Sequence, residues 1–226
     1  MAISLDFSAV LEQWPLFTEG ARLTIELASV ATVAGFTCGT LCAVGLRRPG
    51  LLARLLSGYV EAIRNTPLLV QIFLLYFGLA SLGLKLSAFT VASLSLTINV
   101  AAYTAEIMRA GLDSIPAGQV EAGECLGLSR AQLYWHVLLL PAMERVYPAL
   151  NSQFVLLMLA SSVTSQISAE ELTAVANHIQ SDTFRPFETF ILLAGLYIAL
   201  SLLMRAGFWL LGLALFPRRR RLGTAL

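Results

Sequence analysis

Apolar residues fill long blocks of this chain, and the polar residues are gathered between them. A helix needs about 20 mostly apolar residues to cross a bilayer, and the stretches 23–46, 55–82, 86–105, 146–167 and 190–216 reach that length once a few internal polar positions are allowed. The pattern therefore predicts an all-α protein of about five membrane spans. The connection 106–145 is the one long polar interruption, and it has helical signals of its own. Ser114 and Pro116 suit a helix start, and Gly127 suits the left-handed position that ends a helix. Ser129 followed by Gln132 reads as a capping box opening a second short helix, which Pro141 is expected to stop. Glu121 and Glu124 share one face of the first short helix. Val120, Gly123 and Gly127 leave a neighbouring face with little side-chain bulk, on which another protein's backbone can come close.

Composition agrees with a membrane protein: 57% of residues are hydrophobic and 13% charged, against roughly 45–50% and about 25% in soluble domains. The 226 residues fit a single transmembrane domain, 1–226, and a net charge of +1 points to no nucleic-acid partner. Arg47, Arg48, Arg54, Arg109, Arg130, Arg145 and the run Arg218 to Arg221 fall on one side of a five-span topology. Only Arg22, Lys85 and Arg185 fall on the other. Positive residues stay inside, so the N-terminus is expected outside and the C-terminus in the cytoplasm, with the 106–145 loop also cytoplasmic. The N-terminus lacks the basic run of a cleavable signal peptide. Cys38, Cys42 and Cys125 have no metal-ligand spacing and read as small packing residues, and His136 and His178 have no partners at ligand spacing.

Ionisable and polar residues inside spans are costly in lipid and mark pairs, gates or solute paths. Glu61 and Arg64, at i and i+3, are expected to pair near the cytoplasmic end of span two, either as a fixed ion pair or as a gate. Thr66-Pro67 is expected to bend the helix beyond them. Glu106 and Arg109 form a similar pair at the end of span three. Thr66, Gln71, Asn99, Tyr103, Ser161 and Ser162 are candidates to line a solute path, with interhelical hydrogen bonding as the competing role. Gly35 and Gly39 form a small-xxx-small pair suited to close helix packing. Residues 170–188 are expected to be an outer loop, solvated or touching a partner, and Arg205 to snorkel toward the cytoplasmic side.

The string GQVEAGECLGLSRAQLYWHVLLLPA resembles the cytoplasmic EAA loop of the permease subunits of ABC importers. The loop's pattern falls on Glu121, Ala122, Gly123, Gly127, Leu140 and Pro141, with Gly where the family has its second Ala. The strings YVEAIRNTPLLVQIFLLYFGL, NVAAYTAEIMRAGLDSIPAGQVEA, NSQFVLLMLASSVTS and FRPFETFILLAGLYIALS extend the resemblance through nearly the whole chain, to the polar amino acid (histidine/glutamine-type) permeases. That resemblance implies a type I importer permease in the bacterial inner membrane. It implies a second permease subunit, identical or paralogous, two cytosolic ATPase subunits that bind ATP and Mg, and an extracytoplasmic amino-acid-binding protein. No cofactor is expected on this chain. The loop would be the coupling helix that docks on the ATPase. Many family members carry a Lys-Asp or similar polar pair just before the serines of span four; Leu159-Ala160 stands here, which argues against a carboxylate of this subunit binding a cationic amino acid. A secondary carrier would show internal repeats and a mid-depth carboxylate, and an intramembrane enzyme a constellation such as HExxH or GxSxG. Neither pattern is evident, and no GxxxxGK[ST] phosphate loop occurs.

Overall fold

The computed structural model describes residues 5–216, over which every regular element is helical. The run Arg218 to Arg221 lies outside the described residues. A short helix α1 (Ser8–Leu11) leads into α2 (Trp14–Leu46), followed by α3 (Leu51–Arg64), α4 (Leu68–Ser81) and α5 (Ala88–Asp113). Next come α6 (Ala117–Cys125), the single turn α7 (Arg130–Gln132) and α8 (Leu140–Ala160). The chain closes with α9 (Leu172–Thr183) and α10 (Pro186–Leu215). Four helical stretches are long and apolar enough to cross a membrane, and the bent pair α3–α4 makes a fifth.

Helix α2 starts nine residues before the apolar block, because its first turns bury Phe17 and pack Gly20 against α9, with exposed ion pairs on the outer side. Arg22 bonds Glu19 at 2.6 Å and Glu26 at 3.2 Å, the i±3 and i±4 spacings that stabilise helix in water. At 33 residues α2 is about 50 Å long, well beyond a hydrocarbon core of about 30 Å, so its charged first turns need not enter lipid. The seam between α2 and α5 organises the core. A Cβ on Gly39 would lie 2.6 Å from the Ala101 carbonyl oxygen, and one on Gly35 only 2.1 Å from Val100 Cγ1. Glycine is required at both positions because the two backbones nearly touch, as small-residue seams allow in lipid, where dispersion contacts replace the hydrophobic drive. Ala31, Ala92, Val100 and Ala105 are fully buried around this contact.

The second span is not one helix with a kink. It breaks after Arg64, and α3 and α4 meet at 110°. Proline removes an N–H and disfavours helical backbone at the residue before it, which opens carbonyls at the break. Gln71 closes them again: its Nε2 donates to the Ile63 and Thr66 carbonyls, both at 2.8 Å, while its Oε1 accepts from Asn99 Nδ2 at 3.0 Å. One buried amide thus satisfies the break and ties it to α5. Tyr59 adds a second tie by donating to the Ile98 carbonyl at 2.7 Å.

Pro141 does not end a helix. Residues 130–167 run on as one helical stretch, with a π-helical segment Leu133–Leu139 between α7 and α8 and a 3₁₀ segment Ser161–Ile167 at its far end. Pro141 stands in the first turn of α8, where its missing N–H falls next to the wide π turns, which release the hydrogen bond it cannot make. The expected outer loop is also more ordered than its polarity suggests. Most of 170–188 is α9, whose N-terminus is capped by Glu171, a fully buried side chain accepting from the N–H groups of Thr173 and Ala174 at 2.9 and 3.0 Å. Its other oxygen accepts from Tyr197 on α10 at 2.7 Å, and Thr24 of α2 accepts from the Leu172 N–H.

Candidate functional site

Two features of the polar interruption and its neighbours carry chemistry. The first is the 114–132 segment. Pro116 caps α6, and the helix ends in a Schellman arrangement in which the N–H of Leu128 bonds the Gly123 carbonyl (3.1 Å) and the N–H of Gly127 bonds that of Glu124 (2.9 Å). Gly127 sits at φ 73°, the left-handed region that only glycine occupies without cost. Ser129 and Gln132 form the expected capping box, with reciprocal bonds of 3.3 and 2.9 Å. Arg145 of α8 reaches back to the Ser114 carbonyl and, at 3.1 Å, to its hydroxyl. The segment is therefore anchored at both ends to spans.

Its outward face differs from the one the residue pattern suggested. Gly123 is buried: a Cβ there would lie 2.8 Å from Leu133 Cδ1, so its smallness serves packing of α6 on the π segment rather than a partner's approach. Val120 also turns toward the core. Glu121, Ala122, Glu124 and Cys125 are exposed, as is Gly127. Leu126, which the sequence pattern did not single out, is 80% exposed. An apolar side chain left in water on a turn between two acidic residues and a capping box is a signal visible only once the turn's direction is known. Leu140 and Pro141 lie a full π segment away, with Leu140 partly exposed at the start of α8.

The second feature is a cavity of about 520 Å³ at the break between α3 and α4. Arg64, Thr66, Asn99 and Tyr103 line it from α3, the break and α5, and Gln153, Leu157 and Ala160 line it from one face of α8. Of the residues expected to line a path, Thr66, Asn99 and Tyr103 are brought together here. Gln71 stands behind Asn99 as the staple of the break. Ser161 and Ser162 are not on this wall: their hydroxyls donate to the Met158 and Leu159 carbonyls of their own helix at 2.7 Å. Gln153 of α8 and Arg64 at the end of α3 join the wall from elements distant in sequence, which no local pattern encodes.

The expected Glu61–Arg64 pair does not form. Arg64 lies 3.7 Å from Glu106 and 5.8 Å above the Tyr103 ring, both on α5, rather than pairing along its own helix. Glu106 is held more closely by Arg109, which donates from Nε at 3.1 Å and from Nη2, and Arg109 also meets Asp113 at 3.3 Å. Among the described residues no group of three His, Cys, Asp or Glu side chains is placed to hold a metal.

Residues 35–215 match the model of a family described as the inner membrane component of binding-protein-dependent transport systems. The chain is 34% identical to the octopine transport system permease protein OccM of Rhizobium meliloti, over 95% of this chain and 89% of the relative. It is 33% identical to the glutamine transport system permease protein GlnP of Escherichia coli, over 89% and 94% respectively. A crystal structure of an amino acid ABC transporter superposes with a TM-score of 0.85 at 34% identity, covering 93% of this chain and 99% of the other. A methionine ABC transporter in an inward-facing conformation shares the fold at a TM-score of 0.74 and 21% identity. With a family model spanning most of its length and relatives aligned nearly end to end, the chain belongs to the inner-membrane permease subunits of binding-protein-dependent ABC importers, whose ATPase activity resides in a separate subunit.

Proposed function

We propose that this permease carries a polar amino acid through the cavity between α3, α5 and α8, and that the segment 117–132 is the element through which a partner ATPase drives it. The observation that carries this reading is mechanical. An exposed turn bearing Glu121, Ala122, Glu124 and Leu126 is packed through Gly123 on the π segment that runs into α8, the helix that supplies Gln153, Leu157 and Ala160 to the cavity, and Arg145 of α8 bonds Ser114 at the turn's entry. A push on the turn is thereby delivered to the wall of the solute site as a rigid-body shift. In this reading the chain pairs with a second permease subunit, identical or paralogous, and two ATPase subunits bind ATP and Mg. An extracytoplasmic binding protein delivers the amino acid.

The proposed orientation places 47–51 and 114–132 in the cytoplasm and α9 outside. It is supported by the arginines at the first end and by the contacts at the other, where Asp6 meets Arg185 and Gly20 of α2 packs on α9. The test is uptake of radiolabelled amino acids into proteoliposomes holding the permease, its ATPase and its binding protein. Uptake that requires internal ATP, and that Glu121→Lys or Gly127→Val uncouples from hydrolysis without loss of the folded permease, supports the reading. Full coupled uptake by both variants would make the segment a spacer and overturn it.

A further inference from the structure

Among the described residues Arg64 is the one charged side chain on the cavity wall, and it makes no hydrogen bond there. Its nearest carboxylate, on Glu106, is 3.7 Å away, beyond hydrogen-bond reach. That carboxylate is already occupied by the Nε and Nη2 donors of Arg109. Among the described residues the Arg64 guanidinium donates no hydrogen bond to the protein, and its side chain is 41% exposed over the Tyr103 ring. A planar fork of N–H donors held beside a pocket, ion-paired only at 3.7 Å and with no hydrogen-bond acceptor of its own, can receive a carboxylate in two parallel bonds.

The remaining polar groups are neutral. Asn99 has its Nδ2 committed to Gln71, which leaves Oδ1 free to accept, and the Tyr103 hydroxyl and Gln153 amide make no hydrogen bond within the described residues. These acceptors can hold one ammonium group. Among the described residues no aspartate or glutamate lines the cavity to neutralise a second. An ionised group taken from water into such a site is tolerated only when it is paired, so a solute with an additional positive charge would be left uncompensated beside Arg64.

We propose that Arg64 anchors the carboxylate of the solute in this cavity, and that the cavity selects amino acids without net positive charge. The inference rests on the reading that the cavity is the solute site. It makes Arg64 a specificity-determining contact rather than half of a static ion pair.

The test measures equilibrium binding to the purified permease–ATPase assembly without binding protein, so that only the membrane site is read. The probes are the common L-amino acids and, for the tightest binder, its carboxamide. Neutral or acidic amino acids should bind, lysine and arginine should not, and the carboxamide should bind at least about tenfold more weakly than its parent, the loss expected for a missing charge-assisted pair. Arg64→Gln should abolish the difference between acid and carboxamide, and Arg64→Lys should retain part of it. The comparison in the unaltered protein needs no variant, so a misfolded Arg64→Gln leaves the test intact. Tight binding of arginine or lysine, equal binding of acid and carboxamide, or an acid–carboxamide difference that persists in Arg64→Gln overturns the anchor while leaving amino acid transport standing. Absence of binding by every amino acid overturns the anchor together with the reading on which it rests.

Discussion

Glu171 illustrates how a single residue can be both indispensable in shape and unfavourable in charge. Burial disfavours its ionised form and raises its carboxyl above the ordinary carboxylate range, although the N–H groups of Thr173 and Ala174 and the Tyr197 hydroxyl, by donating to it, pull the other way. With the folded-state value above the unfolded one, the folded protein holds its proton more tightly. This contribution to stability is therefore present at low pH and is lost as pH rises through the window between the two values. Glu171→Gln keeps the cap and removes the titration. Its melting temperature in detergent should exceed that of the unaltered protein increasingly from acid toward neutral pH. Glu171→Ala strips the cap and leaves the Tyr197 hydroxyl only its contact with the Thr173 hydroxyl at 2.8 Å, at a cost of about 1–3 kcal/mol. A pH profile for Glu171→Gln parallel to that of the unaltered protein would show that the buried carboxylate does not titrate in this range.

At the scale of elements, the α2–α5 seam and the π segment make opposite demands on substitution. Gly39→Ala drives a methyl to 2.6 Å from the Ala101 carbonyl oxygen, where only backbone can yield, so it should block assembly of the folded permease. Gly195→Ala, with nothing within 4 Å of its Cβ in this chain, should leave yield unchanged. Monodisperse yield after membrane extraction separates the two. Pro141→Ala restores an N–H at the start of α8 and removes the reason for the wide turns, so 133–139 should tighten toward α-helix and rotate α6 relative to α8. The expected result is a folded permease with weakened solute stimulation of the ATPase; unaltered stimulation would mean the π turns do not set the geometry of coupling.

The five apolar blocks, the Schellman glycine and the capping box were readable in the sequence because each depends on residues within a few positions of one another. The break at Thr66-Pro67 was readable as a bend but not as 110°, since the angle is held by Gln71 bonding Asn99, 28 residues away. The partner of Arg64 is not readable for the same reason: Glu61 and Arg64 share a turn of α3, but Arg64 is drawn to Glu106 and Tyr103 of α5, which are distant in sequence. Helix α9 was missed because its order comes from Thr24 and Tyr197 on distant spans.

For the whole molecule, the proposed orientation and the proposed docking face converge on one native reporter. Cys125 lies exposed on the outward face of α6, one residue before Leu126, while Cys42 is buried and Cys38 lies on the surface of α2. With Cys38 and Cys42 replaced by serine, a membrane-impermeant maleimide should leave Cys125 unlabelled in sealed cells and label it once the membrane is opened. At the opposite end, Phe184→Cys, at a residue 85% exposed between α9 and α10, should label without opening. The same reagent then reads docking. In inverted vesicles carrying the permease alone Cys125 should react freely, and with the ATPase bound its rate should fall several-fold while a cysteine at Phe184 is unaffected. An ATPase that leaves Cys125 fully reactive while still stimulating uptake would place its contact on another face of the 114–132 segment, and labelling of Cys125 from outside sealed cells would invert the topology on which the coupling argument stands.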